Sequence, residues 1–416
     1  MIIKSKAYLG KWGLAICFIF CLGAATVSAQ GNIRLGKLKV ELEAAYKAEY
    51  NDNIALDETD GKKDYIHTVT PGVVLKYEGK PGNFLHAGYR ADIVAYNDYD
   101  ESNYEAHMPF ISLGFKSPRG LYMTALDSYV STADPYGSEN QYGEGRKTRR
   151  WNNSLGLTLG YEFGRKYKIE SDYLNFMLRY KDGADDWQNR IDHRYGASFF
   201  YRLTDKSSLF AQYRHTRAEY DEQNDGVAGW TSSTSQDYSL DDYFLGVRFD
   251  PGRKLRGEIK LGYGRKNFDN EFDKTSNSYE DQSSWVAETG LTYTPSQKTE
   301  LSYKLGRSIE GSPDTDSSSY MDTFMGVNIH HSITRQLSLG LGLDWNFNDY
   351  SDEDISGAPD KYFNIYTARA GAEWAIRKWF SGGMEYQYKR KNANDSYYQD
   401  AEYGNNIFSL HLSARF

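Results

Sequence analysis

Apolar and polar residues alternate over long stretches of this chain. From Leu337 to Phe347, every second position is leucine or an aromatic residue, and the positions between them are Ser, Gly, Asp or Asn. Residues 154–163 and 85–93 show the same alternation. Because successive side chains of a β-strand point to opposite faces, the pattern predicts strands with one apolar face and one small or polar face. No stretch after residue 29 shows a competing helical period.

The connections between these strands alternate in length. The short ones carry the Pro, Gly, Asp and Ser chemistry of hairpin turns and lie at 80–83, 118–120, 165–166, 205–206, 251–254, 296–298, 334–335 and 377–378. The longer, polar ones lie near 51–63, 97–103, 131–147, 181–190, 222–237, 270–282, 311–319, 351–361 and 393–402. Nine loops and eight turns predict about 18 strands; 16 would also satisfy the even number that single-chain bacterial barrels require.

These strands predict an all-β fold, a single closed antiparallel transmembrane β-barrel with short periplasmic turns and longer extracellular loops. A soluble β-sandwich also has alternating strands and is the competing architecture. The predicted strands are long, however, and carry Tyr, Trp and Phe near their ends, as the aromatic girdles of a membrane barrel do. The 36 tyrosines, 20 phenylalanines and 8 tryptophans against 9 prolines are also typical of strands.

The first 29 residues have the features of a cleaved secretory signal peptide. Lys4, Lys6 and Lys11 precede or open an apolar run, which ends in the small residues Val27-Ser28-Ala29 of a signal-peptidase site. We therefore expect cleavage after Ala29 and one barrel domain over residues 30–416. Both cysteines, at positions 17 and 21, lie within the signal, so the mature chain is expected to have no disulfide or thiolate metal site.

The charge of the chain argues against a nucleic-acid-binding protein, and its hydropathy argues against a helical membrane protein. Losing three lysines and no acidic residue with the signal changes the net charge from −8 to −11, which argues against nucleic acid as a partner. Mean hydropathy is −0.71, and no later segment has the length and apolarity of a transmembrane helix. A polar average still fits a barrel, because its strands show lipid only every second side chain.

The C-terminal strand ends on an aromatic residue. Its outward face is predicted to carry Phe408, Leu410, Leu412, Ala414 and Phe416. This arrangement resembles the C-terminal signal that outer-membrane proteins present to the barrel-assembly machinery, and the resemblance implies that machinery as a partner during biogenesis. The simpler interpretation is a last strand that closes a sheet.

The first predicted hairpin resembles a known family. Tyr50-Asn51-Asp52-Asn53-Ile54 is followed by the strand residues 64–75, which include Pro71-Gly72. This is similar to the opening of the putative beta-barrel porin 2 family; the rest of the mature chain resembles it only in pattern. The resemblance implies an integral barrel of the outer membrane, some of whose relatives accompany exopolysaccharide production and export. It implies no catalytic residue. Pro71 itself must lie where the ladder needs no donor.

The face opposite the large apolar side chains is predicted to line the lumen. It carries charges of both signs, at Arg90, Asp92, Arg194, Arg202, Arg214, Arg248, Arg256, Glu258, Lys260, Lys304, Arg369, Glu373 and Glu385. Two interpretations follow: a hydrated conduit, or a network of salt bridges that fills and stiffens the barrel. A barrel of about eighteen strands is wide enough for water, and no segment is typical of a separate plug domain, so we favour a conduit.

The two ends of the barrel are predicted to differ in charge. The turns carry basic residues, among them Lys80, Lys254 and Lys298, whereas the loops are acidic at Asp57, Glu58, Asp60, Asp98, Asp100, Glu101, Asp185, Asp186, Asp221, Glu222, Asp225, Asp314, Asp316, Asp352, Glu353 and Asp354. Acidic clusters could gather calcium with lipopolysaccharide, but they lack the spacing of a calcium loop. We expect no defined metal site and no cofactor, and we expect outer-membrane lipid and lipopolysaccharide as surroundings.

An outer-membrane hydrolase, such as a phospholipase, is the weakest of the functional alternatives. His411 shares a predicted face with Ser409 and Ser413, but such neighbours are about 7 Å apart, too far for a direct bond without favourable rotamers. A protease built on Asp and His would need both side chains on one face, but Asp192 and His193 are neighbours in a strand and point to opposite faces. We therefore expect no enzyme. The leading hypothesis is a porin-like conduit for polar solutes or exported polysaccharide, with polysaccharide-export components as further partners; the runner-up is a non-conducting structural or surface-binding barrel.

Overall fold

The computed structural model describes residues 33–134, 145–183, 185–221, 236–249, 254–271, 279–312, 318–350 and 359–416. The expected signal peptide lies outside these residues. The fold is nearly all β, and its strands are β1 Ile33–Leu35, β2 Leu38–Asn51, β3 Asp64–Glu78, β4 Phe84–Tyr96, β5 Tyr104–Lys116, β6 Leu121–Thr132, β7 Arg150–Phe163, β8 Tyr167–Tyr180, β9 Arg190–Thr204, β10 Ser207–Tyr220, β11 Tyr238–Phe249, β12 Leu255–Phe268, β13 Gln282–Ser296, β14 Thr299–Gly311, β15 Ser319–Ser332, β16 Leu337–Tyr350, β17 Lys361–Arg377, β18 Phe380–Ala393 and β19 Tyr403–Arg415.

Each strand from β2 to β19 pairs antiparallel with its neighbours in sequence, and β19 pairs with β2. Residues 407–415 of β19 run against residues 43–51 of β2, so the sheet closes into an 18-stranded barrel. The prediction of an all-β closed antiparallel barrel of about 18 strands is confirmed. The sequence pattern did not predict β1, a three-residue strand that pairs with the start of β2.

The apolar side of the strands faces outward. Leu343 of β16 is 65% exposed and Leu245 of β11 is 71% exposed, whereas the inward Phe200 of β9 is almost fully buried. Large apolar side chains are therefore on the outside, the reverse of a soluble sandwich, whose largest apolar face is its core. Polar residues such as Asp242 and Lys260 are buried on the inward side instead.

Turns and loops fall at opposite ends of the barrel. We call these the turn end and the loop end. For example, the connection between β3 and β4 is short and lies at the turn end, whereas the connection between β8 and β9 is longer and lies at the loop end, as predicted. Along β3, pairing with β4 is interrupted at Thr70 and Pro71, in agreement with the prediction that Pro71 lies where the ladder needs no donor.

A hydrogen-bonded side-chain pair recurs on the outward face near the loop end. Tyr46 Oη lies 2.9 Å from His67 Nδ1, and Tyr386 donates to Asn406 Oδ1 at 2.7 Å. In each pair, a residue on a strand running toward the loop end meets the fourth residue of the strand that returns. Seven pairs of this kind in the described residues join the two strands diagonally: Tyr46–His67, Tyr89–His107, Asp127–Asn153, Tyr173–His193, Tyr213–Asp241, Trp345–Asn364 and Tyr386–Asn406.

These pairs form a ring at one level around the barrel. Below them toward the turn end, the outward positions are mostly Leu, Ile, Val and aromatic residues, such as Leu341 and Tyr366. Amphipathic aromatic groups with satisfied polar ends are typical of the boundary between hydrocarbon and headgroups. The ring therefore marks the loop-end edge of the apolar band on the outer wall.

The C-terminal residue joins the seam of the barrel. Phe416 and Leu42 exchange backbone hydrogen bonds, at 3.1 Å from Leu42 N to Phe416 O and 2.9 Å from Phe416 N to Leu42 O. The ring of Phe416 stacks on Trp379 with 5.3 Å between centroids. Phe408, Leu410 and Leu412 of the expected assembly signal are exposed on the outward face. In the part of the chain described here, no helix is long and apolar enough to cross a membrane.

Candidate permeation pathway

The inward face of the strands forms the wall of the lumen. The structure places the predicted lumen residues on this face, opposite outward neighbours such as Tyr89, Tyr213 and Ile259. Most of them are engaged with other charged or polar groups. Arg194, Arg202, Lys304 and Glu385 also lie on the inward side of β9, β14 and β18. The lumen wall is therefore polar along several strands.

A central ion cluster lies on β10 to β13. The Arg214 guanidinium donates to Asp242 Oδ2 at 2.9 Å and to Glu288 Oε1 at 2.6 Å. Lys260 lies 2.6 Å from Glu288 and donates to Gln212 at 2.9 Å. Asp242 and Lys260 are almost fully buried among these partners. Such burial is tolerable because each charge meets opposite charges and hydrogen bonds.

A second cluster lies nearer the turn end on the same wall. Arg248 donates to Glu258 at 2.8 Å and to Glu170 at 3.0 Å. Lys168 bonds Glu170 at 3.0 Å, and its ammonium lies 3.8 Å from the centre of the Phe200 ring. Tyr122 also donates to Glu170. The aromatic rings beneath these cations keep the long side chains flat against the wall.

The opposite wall carries separate pairs. Arg90 donates to Glu43 at 2.8 Å, and Asp92 accepts from Thr70 at 2.5 Å. Arg369 pairs with Asp344 on the neighbouring strand. Further round the barrel, Arg256 and Glu300 lie 3.0 Å apart, both about half exposed. Charges of both signs therefore surround the lumen.

Three aromatic and aliphatic clusters narrow the loop end from within. Ile54, in the loop after β2, packs against the inward Ile66, Val94 and Tyr96. The short 3-10 helix Ser396–Ala401 packs Tyr398 against the cluster of Tyr320, Tyr350 and Phe363. The third cluster contains Ala218, Tyr220 and Tyr238. Loop residues thus fold onto the lumen wall at this end, which the sequence pattern did not reveal.

Carboxylates at the loop end are held in their charged form. Asp57 accepts the backbone N–H groups of Asp60 and Thr59, both at 2.8 Å, and these bonds lower its pKa. The hydrogen bond from Arg149 lowers the pKa of Asp182. The predicted acidic residues Glu222, Asp225, Asp314, Asp316, Asp352, Glu353 and Asp354 lie outside the described residues. Within the described ranges, no group of three or more His, Cys, Asp or Glu side chains is arranged to hold a metal ion.

The residues considered as catalytic candidates form hydrogen bonds or ion pairs with residues other than one another. His411 Nε2 lies 2.5 Å from Glu373, and Ser413 shares a hydrogen bond with Ser381 at 2.8 Å. Asp192 pairs with Arg190 inside, whereas His193 bonds Tyr173 on the outward face, so the two do point apart.

Sequence reasoning missed several partners of the predicted residues. Glu43, Arg415, Glu170, Asp242 and Glu288 all lie on the lumen wall. Alternation alone could have placed Arg415 there, because it has the parity of His411. The pairings could not be found in this way, since they join strands far apart in sequence.

A closed barrel with an apolar exterior and a polar, ion-paired interior is a transmembrane β-barrel of the outer-membrane class. The chain belongs to the Putative beta-barrel porin 2 family, whose sequence profile matches residues 27–416. This confirms the family resemblance of the first hairpin. A search of curated proteins gives no match.

The comparison with solved structures gives matches of low sequence identity. OpdQ of Pseudomonas aeruginosa is 9% identical with a TM-score of 0.43, and OccK5 of the same organism is 10% identical with 0.45; each comparison covers 91% of this chain and 98% of the other. The FrpB iron transporter of Neisseria meningitidis is 11% identical with a TM-score of 0.42 over 85% of this chain. The chain spans 62% of the length of that transporter.

Proposed function

We propose that this protein is a porin-like conduit of the outer membrane that passes polar solutes or an exported polysaccharide. The supporting observation is an 18-stranded barrel whose inward face carries charged groups from the turn end to the loop end. Barrels of 16 to 18 strands commonly enclose an aqueous channel. The turns would face the periplasm and the loops the exterior. We propose no enzymatic activity, because the hydroxyl of Ser413 bonds to Ser381 and not to His411, so this serine is not activated by the histidine.

The second candidate is a barrel that does not conduct and instead has a structural or surface-binding role. The inward packing of Ile54 and Tyr398 favours it, because these contacts narrow the loop end. In either case we propose export through a cleaved signal peptide, assembly by the barrel-assembly machinery through the Phe416 strand, and lipopolysaccharide around the loop end. Polysaccharide-export components are proposed as partners only for the conduit.

Conductance decides between these two functions. Folded protein inserted into planar bilayers should give stable channels that pass both ions, because charges of both signs line the wall. We expect rectification at 0.1 M salt, where the Debye length is about 10 Å, and little at 1 M, where it is about 3 Å. The same preparation unfolded by boiling serves as the control. Repeated insertion of folded protein without conductance would leave the non-conducting barrel as the function.

A further inference from the structure

Two basic cavities lie in line at the turn end, beside the seam between β19 and β2. The inner cavity, of about 580 Å³, is lined by Arg90, Arg377, Lys378 and Arg415 with one carboxylate, Glu43. The outer cavity, of about 410 Å³, is lined by five bases and one carboxylate: Arg34, Lys37, Lys39, Lys76, Lys80 and Glu78. We call the two together the basic track.

The single carboxylate of the inner cavity is already shared by two guanidinium groups. Arg90 and Arg415 lie 2.8 Å and 2.9 Å from the two oxygens of Glu43. Each guanidinium carries five N–H donors, so most of them remain for a further acceptor. The side chain of Arg415 is 64% exposed, and Arg377 and Lys378 are exposed as well. The inner cavity therefore has an excess of positive charge that can reach a ligand.

The outer cavity has the same character. Glu41, on the wall between the two cavities, lies 2.6 Å from Lys39 and 2.7 Å from Lys76. That carboxylate is thus compensated within the wall. Lys37 and Lys80 stay exposed at the rim. An anion in this cavity would meet several cations and little repulsion.

The two cavities follow the same strands. Lys39, Glu41 and Glu43 occupy alternate positions of β2, so successive inward side chains are about 7 Å apart. From Lys39 to Glu43 the strand rises about 13 Å. A single small anion would fill only one cavity, whereas an extended chain of negative groups could occupy both. Guanidinium groups bind carboxylate and phosphate alike, so the shared chemistry is a linear polyanion.

We propose that the basic track binds a linear polyanion, such as an acidic oligosaccharide, at the periplasmic mouth of the conduit. The inference rests on the proposed function and specifies its substrate class. Binding at the mouth raises the local concentration of the polymer, and the aligned charges would hold it in an extended form along the wall.

Block of single channels in planar bilayers tests the proposal. The probe is an oligogalacturonate added to the turn-end side at 0.1 M salt, compared with an uncharged maltooligosaccharide of the same length. We expect the acidic oligomer to interrupt the current at a concentration at least tenfold lower than the neutral one. Oligomer added to the loop-end side should block less, because the track lies at the far mouth. Inorganic phosphate at equal charge concentration should block weakly, since it spans one cavity only.

Two sets of exposed-turn variants separate the track from the general charge of the mouth. The first joins Lys37→Gln, Lys80→Gln, Arg377→Gln and Lys378→Gln, all lining the two cavities. The control removes the same number of charges at Lys166→Gln, Lys206→Gln, Lys254→Gln and Lys298→Gln, which are exposed in turns elsewhere on the rim. Heat-modifiable migration on gels shows that each variant is folded.

We expect the first set to lose at least tenfold in block by oligogalacturonate and the control to stay within about twofold of the unaltered protein. Equal losses in both sets, or equal block by the acidic and neutral oligomers, would overturn the basic track while leaving the conduit intact. Equal block by phosphate at the same charge would replace the polyanion by a small-anion site. Folded protein without any current contradicts the conduit itself.

Discussion

Replacing Leu343 by arginine should destabilise the barrel by about 2–4 kcal/mol, the cost of a basic side chain near the middle of the lipid-facing wall. Leu343 lies halfway along β16, opposite Val327 and Ala368, and 65% of its surface is exposed on the apolar exterior. The free energy of unfolding in urea, followed by tryptophan fluorescence in phospholipid vesicles, measures the effect.

Gly340→Arg is the matched control, three residues away on the inward side of the same strand. A Cβ at Gly340 meets no atom within 4 Å, so the lumen has room for a side chain there. We expect a change within about 1 kcal/mol, because a charge in a hydrated lumen is not transferred to hydrocarbon. Equal destabilisation by both arginines would show that the two faces of β16 do not differ in environment.

Replacing Asp242 by alanine should cost about 3 kcal/mol of folding free energy. Its carboxylate is 2% exposed and receives two nitrogens of Arg214, which is itself largely buried. Without Asp242, the guanidinium retains only Glu288 of these two carboxylates, and Glu288 is shared with Lys260. Breaking a buried pair from one side leaves an uncompensated charge, and this is the source of the cost. Unfolding in urea measures it.

Glu300→Ala is the control for this second prediction. Its pair with Arg256 also faces the lumen, at 3.0 Å, but the side chains are 46% and 48% exposed. Water screens such a pair, so we expect a loss below about 1 kcal/mol. A loss at Asp242 no larger than at Glu300 would mean that water reaches the central cluster as freely as the exposed pair.

The alternation of side chains was enough to predict most of this fold. In β16 it identified which residues face outward, and the alternating connection lengths predicted the strand count and the opposite ends of the hairpins. Both signals are local, since each depends on neighbouring positions of one strand. Hairpins then fix the antiparallel order, because each strand pairs with the next.

The partners within the lumen could not be predicted in the same way. Arg90 and Glu43 lie on β4 and β2, which are separated by an intervening strand, and Arg214 reaches Glu288 across two. Their approach depends on side-chain length and on the register of three or four strands together. The inward packing of Ile54 also escaped prediction, since one apolar residue in a polar loop carries no period.

The outward pairs near the loop end could be predicted only in part. Tyr46 and His67 are each visible on the apolar face of their own strand, but the sequence does not show that they meet diagonally. Recurrence in successive hairpins is the signal that could have revealed them. Counting from the start of each returning strand places His67, His107 and His193 at the same fourth position.

Collision accessibility of spin labels along β16 tests most directly whether the strands separate lipid from a water-filled lumen. Residues 30–416 contain no cysteine, so single cysteines can be introduced and labelled at positions 338–343 of protein in lipid vesicles. Oxygen concentrates in hydrocarbon, whereas a water-soluble nickel chelate stays in the aqueous phase. Labels at 339, 341 and 343 should collide mainly with oxygen, and labels at 338, 340 and 342 mainly with the chelate. A lumen side accessible to neither reagent, or accessibility without a period of two, would contradict a hydrated barrel.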